Sequence, residues 1–149
     1  MRYKLPVSVL VLVHTPDLQV LLLERADYPE HWQSVTGSQE EGETLEQTAR
    51  RELREETGID AARYRLEDWG MSNQFEIFPR WRHRYAPGTT HNTEHVFGFE
   101  VPAPTDVTLA PREHLRALWL PWQVAAEKVF SWTNRDAILK LPELSAHKR

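Results

Sequence analysis

Hydrophobic positions near the N-terminus fall in two short runs, Val7 to Val13 and Val20 to Leu23, separated by Thr15, Pro16 and Asp17. Short aliphatic runs bounded by turn residues predict two strands of a central sheet. A polar link from Glu24 to Glu30 then leads to His31-Trp32-Gln33-Ser34-Val35-Thr36. From Leu45 the period changes: Leu45, Ala49 and Leu53 recur at i, i+4 and i+8, which is one stripe of a helix. Thr44 with Gln47 three residues on makes a capping box, and Gly58 is placed to end the helix in the left-handed conformation. The predicted helix therefore runs from Thr44 to about Thr57. Beyond it Tyr64 to Trp69 and Gln74 to Phe78 look extended, and Thr93 to Val101 alternates as a strand. A loop rich in Arg, His, Pro and Gly joins the last two. Pro102, Pro104 and Pro111 interrupt the chain before a predicted strand at Leu118-Trp119-Leu120. Two helices follow, Trp122 to Val129 and Asn134 to Leu141, the second capped by Thr133 or Asn134. Without repeat or interdomain linker, this pattern predicts an α/β fold, an α/β/α sandwich, in one domain over residues 1–149.

The 149 residues are 40% hydrophobic, enough for one core. A formal net charge of −4 argues against general affinity for nucleic acid or an anionic membrane. The absence of cysteine excludes disulfides and thiolate metal sites and fits a reducing cytosol. The apolar run at the N-terminus is too short to span a membrane, and no small-residue cleavage site follows it. These features lead to the expectation of a cytoplasmic protein, monomer or dimer, with no membrane or nucleic-acid partner. Arg80, Arg82, His83 and Arg84 interleave with Trp81 and Tyr85, and in an acidic chain they are better explained as a loop bordering an anion site, or as arginines paired with surface acids.

Arg51, Glu52, Glu55 and Glu56 crowd the end of the predicted helix. At about 100° per residue, Glu56 lies roughly 40° to one side of Glu52 and Glu55 roughly 60° to the other, so one face carries three carboxylates. Like charges at this spacing repel unless a cation neutralises them. Oxygen ligands suit a hard divalent cation, Mg²⁺ above all, with Mn²⁺ in its place. The plainer alternative is a solvated acidic face.

Residues 37–59 decide between these. They match the Nudix box, G-x5-E-x7-R-E-U-x-E-E-x-G-U with U aliphatic, at Gly37, Glu43, Arg51, Glu52, Leu53, Glu55, Glu56, Gly58 and Ile59. Chance agreement at one start point is on the order of one in a billion. The chain thus resembles the Nudix hydrolases, which implies their α/β/α fold and the hydrolysis of a diphosphate linked to another moiety. By the same resemblance Glu52 and Glu56 bind the metal, Glu55 is a further ligand or a group just behind the ligands, and Glu43 pairs with Arg51 to fix the loop on the helix. The general base is Glu56 or Glu113, the latter also a candidate third metal ligand; Glu56, Glu113 and Glu55 are the candidate catalytic carboxylates.

The flanks are narrower. Most of the family has Pro-Gly-Gly where this chain has Val35-Thr36-Gly37-Ser38. That loop, together with Phe75 to Phe78, Arg82 to Gly88, Asn92-Thr93-Glu94, Ser131-Trp132 and Asn134-Arg135, resembles the branch that cleaves dihydroneopterin triphosphate to the monophosphate and pyrophosphate. A small-molecule triphosphate is the implied partner. Its tail needs cations, for which Lys4 and Arg25 are placed, and Thr36 offers a hydroxyl or backbone donor. Its flat ring needs aromatic walls and an acceptor, assigned to Phe75, Glu76, Ile77 and Phe78, with Ser131 completing the pocket. The alternatives are a Nudix nucleotide pyrophosphatase acting on dATP, 8-oxo-dGTP or capped RNA and, in another class, a non-catalytic ligand sensor.

Overall fold

The computed structural model describes residues 2–146. The two N-terminal runs are strands β1 (Val7–His14) and β2 (Gln19–Arg25). Two short strands that the sequence pattern does not announce follow, β3 (Trp32–Gln33) and β4 (Val35–Ser38). Helix α1 (Leu45–Thr57) has Thr44 as N-cap, a complete capping box with Gln47, and Gly58 at φ 75°, its N–H donating to the Arg54 carbonyl at 2.8 Å. Then come β5 (Arg65–Glu76), a 3₁₀ turn (Pro79–Arg84), β6 (His91–Glu100), β7 (His114–Pro121), α2 (Trp122–Lys128) and α3 (Trp132–Ala146).

The strands form one seven-stranded mixed sheet in the order β3-β2-β1-β6-β5, with β4 added to β1 and β7 to β2. β1 and β6 are parallel, Val7 opposite Thr93 through His14 opposite Glu100, and the other pairings are antiparallel. Because β1 is central it is covered on both faces, which is why its sequence is almost wholly apolar. Val9, Val11 and Val13 pack with Ala49 and Leu53 of α1 on one face. Leu10 and Leu12 pack with Ala125 of α2 and Ile138 and Leu141 of α3 on the other. The α/β/α sandwich is the observed architecture.

Several predicted boundaries move, the last helix, for one, running on to Ala146. Tyr64–Trp69 and Gln74–Phe78 are parts of one long β5, its register shifting between Asp68 and Met71 beside Gly70 at φ 68°. Ile77 and Phe78 lie beyond its end. The last strand starts at His114, earlier than Leu118, because its pairing with β2 extends to Arg25. The final helix starts at Trp132, ahead of the expected Thr133 or Asn134 cap, and Ser131 precedes it with its hydroxyl 3.4 Å from the Asn134 N–H. No helix among the described residues is long and apolar enough to cross a membrane.

Candidate active site

The stripe Leu45, Ala49, Leu53 docks α1 on the sheet, and that docking grades the exposure of its acidic face. Glu56 is 2% exposed, the Glu52 side chain 13% and that of Glu55 48%. Strand β4 runs beneath them: the Thr36 N–H lies 3.5 Å from Glu56 Oε1, and Gly37 abuts Glu52 so closely that a Cβ there would fall inside its carboxyl group. Burial pushes both the Glu52 and Glu56 carboxyls upward, and a hydrogen bond joins them. Glu56 is held well above the usual carboxylate range by burial and then by Glu52, so it carries the shared proton. Behind the pair, His114 Nε2 is 3.6 Å from Glu56 Oε1. Burial holds that imidazole down at about 4, so it is neutral at pH 7.

Arg51 ties the loop to the helix. Its Nε and one Nη grip Glu43 at 2.7 and 3.0 Å, the same Nη reaches the Ser38 carbonyl at 2.9 Å, and the other Nη contacts Glu52 at 2.6 Å and Glu55 at 3.3 Å. Arg51 holds the Glu43 carboxyl down at about 2, and Glu43 also accepts from the Glu40 N–H and the Thr48 hydroxyl. Among the described residues no three His, Asp or Glu side chains are gathered as a ready enclosure for an ion. The Glu52–Glu56 pair nevertheless fits one: two buried carboxyls share a proton that a hard cation can replace, and such a cation takes most of its other ligands from water and phosphate. Glu113 lies close enough to this pair to raise Glu56 further by its charge, and close enough to Lys4 to stabilise the ammonium.

From the β4 loop a cavity of about 330 Å³ opens on the α3 side of the sheet. All eight predicted substrate contacts line it: Lys4, Arg25, Thr36, Phe75, Glu76, Ile77, Phe78 and Ser131. Lys4 and Arg84 are joined by a backbone hydrogen bond of 2.8 Å, which brings the basic 80–85 segment to the mouth. Desolvation and the neighbouring Arg84 and Arg25 depress the Lys4 ammonium. Asp27 orients this group, accepting from Arg25 twice at 2.7 Å, from Arg84 at 3.0 Å and from Trp81 Nε1 at 3.1 Å. Arg25 also lies over the Trp81 ring at 4.3 Å. Phe78 stacks on Trp81 at 5.3 Å, and Phe130 meets both edge-on.

Some predicted roles find different geometry. The Thr36 hydroxyl donates to the Val9 carbonyl at 2.8 Å, so its free donor capacity is already used. The Glu76 carboxylate is 68% exposed and pairs with Arg82 at 3.5 Å at the rim. The Ile77 side chain is buried, and Ser131 shares a hydrogen bond of 2.8 Å with Thr133. The cavity is also lined by residues that the sequence pattern tied to the branch but not to a substrate contact: Asn92, Glu94 and Asn134. Asn92 and Glu94 sit at alternate positions of β6, and which face they take depends on the pairing of β6 with β1 and β5, which is not a local signal.

The Nudix domain family profile matches residues 4–141. The chain is 48% identical over 139 residues to the dihydroneopterin triphosphate diphosphatase of Escherichia coli K12, covering 91% of each chain. It is 44% identical over 143 residues to the protein of the same name from Haemophilus influenzae, covering 94% of this chain and 89% of that one. The solved structure of the E. coli dihydroneopterin triphosphate pyrophosphohydrolase superposes with a TM-score of 0.87 over 93% of this chain and 95% of that chain. With the loop-helix of residues 37–59 folded as described and the match running through almost the whole sheet, the chain belongs to the Nudix family.

Proposed function

We propose that this chain, acting as one domain over residues 1–149, is a Mg²⁺-dependent pyrophosphohydrolase that converts 7,8-dihydroneopterin triphosphate to dihydroneopterin monophosphate and pyrophosphate, a step of folate synthesis. The observation that carries the reading is the continuity of one site: a buried carboxyl pair, a cluster of cations and an aromatic cavity follow one another along the β4 loop. Relatives that cover more than nine-tenths of the chain bear that activity in their name.

Glu52 and Glu56 would hold the cation, with Glu55 and Glu113 at its margin. When bound, a divalent cation supplies charge neutralisation at the phosphate oxygens and lowers the pKa of water. Lys4, Arg25 and Arg84 grip the rest of the polyanionic tail, the two arginines held in direction by Asp27. Arg51 keeps the loop in register with the helix. Glu56 is buried and already bonded to Glu52, so we assign the general base to Glu113, an exposed carboxylate on the late loop whose charge is felt at Glu56. It takes a proton from water as the new oxygen–phosphorus bond forms and the bridging phosphorus–oxygen bond between the α- and β-phosphates breaks, separating the monophosphate from pyrophosphate. Glu113→Gln is expected to lower kcat by about 10²- to 10⁴-fold with little change in KM. Near-normal turnover at saturating Mg²⁺ would transfer the role to Glu56.

The reading as a whole is tested by pyrophosphate release from dihydroneopterin triphosphate with and without Mg²⁺, beside dATP. Release that depends on the metal and favours the pterin substrate is the expected result. A clear preference for dATP would make this a nucleotide pyrophosphatase, and no release from any triphosphate would make it a ligand sensor.

A further inference from the structure

We propose that Asn92 and Glu94 read the aminopyrimidinone edge of the substrate's ring, Glu94 being the residue that decides which heterocycle the cavity accepts. This rests on the reading of the cavity as the site of a heterocyclic triphosphate. The two residues stand two apart on β6, so both side chains leave the same face of the sheet. Both line the cavity and both are buried, at 2% and 5% exposure. Asn92 is oriented by donating from Nδ2 to the Ser8 hydroxyl at 2.7 Å, which leaves Oδ1 buried without a protein partner. Glu94 Oε1 likewise has no protein partner, while the Thr133 hydroxyl bonds to the carboxyl.

Two buried acceptors without donors are costly, and native folds rarely keep them without a use. The ligand that resolves them must bring adjacent N–H groups on one edge. An aminopyrimidinone does so: its ring N–H and its amino group lie side by side and match the two oxygens of one carboxylate. An adenine edge sets an acceptor nitrogen beside its amino group and meets the same carboxylate with lone-pair repulsion. Burial lifts the Glu94 carboxyl to about 7, so it is near the point at which a pair of donors draws it into the ionised form. Glu76, the acceptor expected from sequence, stands at the rim with Arg82 and is free of this task.

The test compares wild type with Glu94→Gln on dihydroneopterin triphosphate and dATP, and on GTP and ITP, which differ only in the amino group of this edge. Glu94→Gln is expected to cut kcat/KM for the pterin substrate by about 100-fold, chiefly through KM, while dATP changes less than about threefold. Wild type is expected to prefer GTP to ITP by about tenfold or more, and the variant to treat them alike. A pterin value in the variant within about threefold of wild type, an equal fall on both substrates, or a wild type blind to the difference between GTP and ITP overturns the proposal. Should the variant lack a cooperative melting transition, the GTP and ITP comparison on wild type decides alone. Failure of wild type to cleave the pterin triphosphate instead overturns the functional reading, and the nucleotide pair still decides the edge.

Discussion

Glu56→Gln is expected to lower kcat/KM by about 10³-fold or more and, in metal-free protein at pH 8, to raise the melting temperature. The first effect follows from removing one of the two carboxylates proposed to hold the cation, whose electrostatic contribution would be worth several kcal/mol in the transition state. The second has the opposite sign because the same group is a liability to the empty fold. Burial, and after it Glu52, raises the Glu56 carboxyl above its unfolded value. A group of that kind contributes stability that is fully present below the unfolded pKa, about 4.3, and is lost as pH rises through the folded one. Gln has no proton to lose, yet can still accept from the Thr36 N–H and donate to Glu52. The gap in melting temperature between variant and wild type should therefore be small at pH 5 and widen toward pH 8. Calorimetry in EDTA at the two pH values, beside pyrophosphate release in Mg²⁺, measures both halves. A variant less stable than wild type at pH 8 would mean that the Glu52–Glu56 pair is not under the strain described.

That trade explains why the acidic face stands out so clearly in the sequence. Three carboxylates within little more than a turn repel one another, Arg51 offsets only part of that repulsion, and the spacing, cap and apolar stripe that position them are all local signals. Thr44, Gln47, Gly58 and Leu53 consequently behave in the fold as their sequence positions imply. The cavity floor was not legible in the same way. In the run Thr93 to Val101 an alternating polar residue reads as the solvent side of a strand, and only the parallel pairing of β6 with β1 turns Glu94 toward Leu10 and α3. Other non-local contacts act likewise: a parallel bridge pairs Lys4 with Tyr85, and the antiparallel pairing with β6 merges two apparent strands into β5 across the bulge at Gly70. Asn134, buried in α3, fixes the loop by accepting from the Ser34 N–H at 2.8 Å and donating to its hydroxyl at 3.0 Å, a contact across a hundred residues of chain.

Gly37→Ala is expected to cost about 100-fold in kcat/KM with a fold that still melts cooperatively. The first fixed position of the box has no positive φ to explain its glycine. What explains it is Glu52, whose carboxyl carbon and both oxygens occupy the space that a Cβ would enter. Glu52 has little freedom to retreat: Arg51 holds one oxygen at 2.6 Å, and Glu56 is bonded to the carboxyl from the other side. Nor can Gly37 move away easily, since it is registered against Val9 in the middle of the β1–β4 ladder. The methyl group therefore displaces the carboxylate while the helix and sheet remain in place. The loss should appear as a weaker dependence on Mg²⁺ concentration, with the KM for the triphosphate at saturating metal changing much less, because Lys4, Arg25 and the aromatic walls are untouched. Titration of activity against Mg²⁺ for Gly37→Ala and wild type separates these effects. Coincident curves would show that the crowding at Gly37 does not govern the carboxyls proposed to bind the metal, and the glycine would then need a different reason.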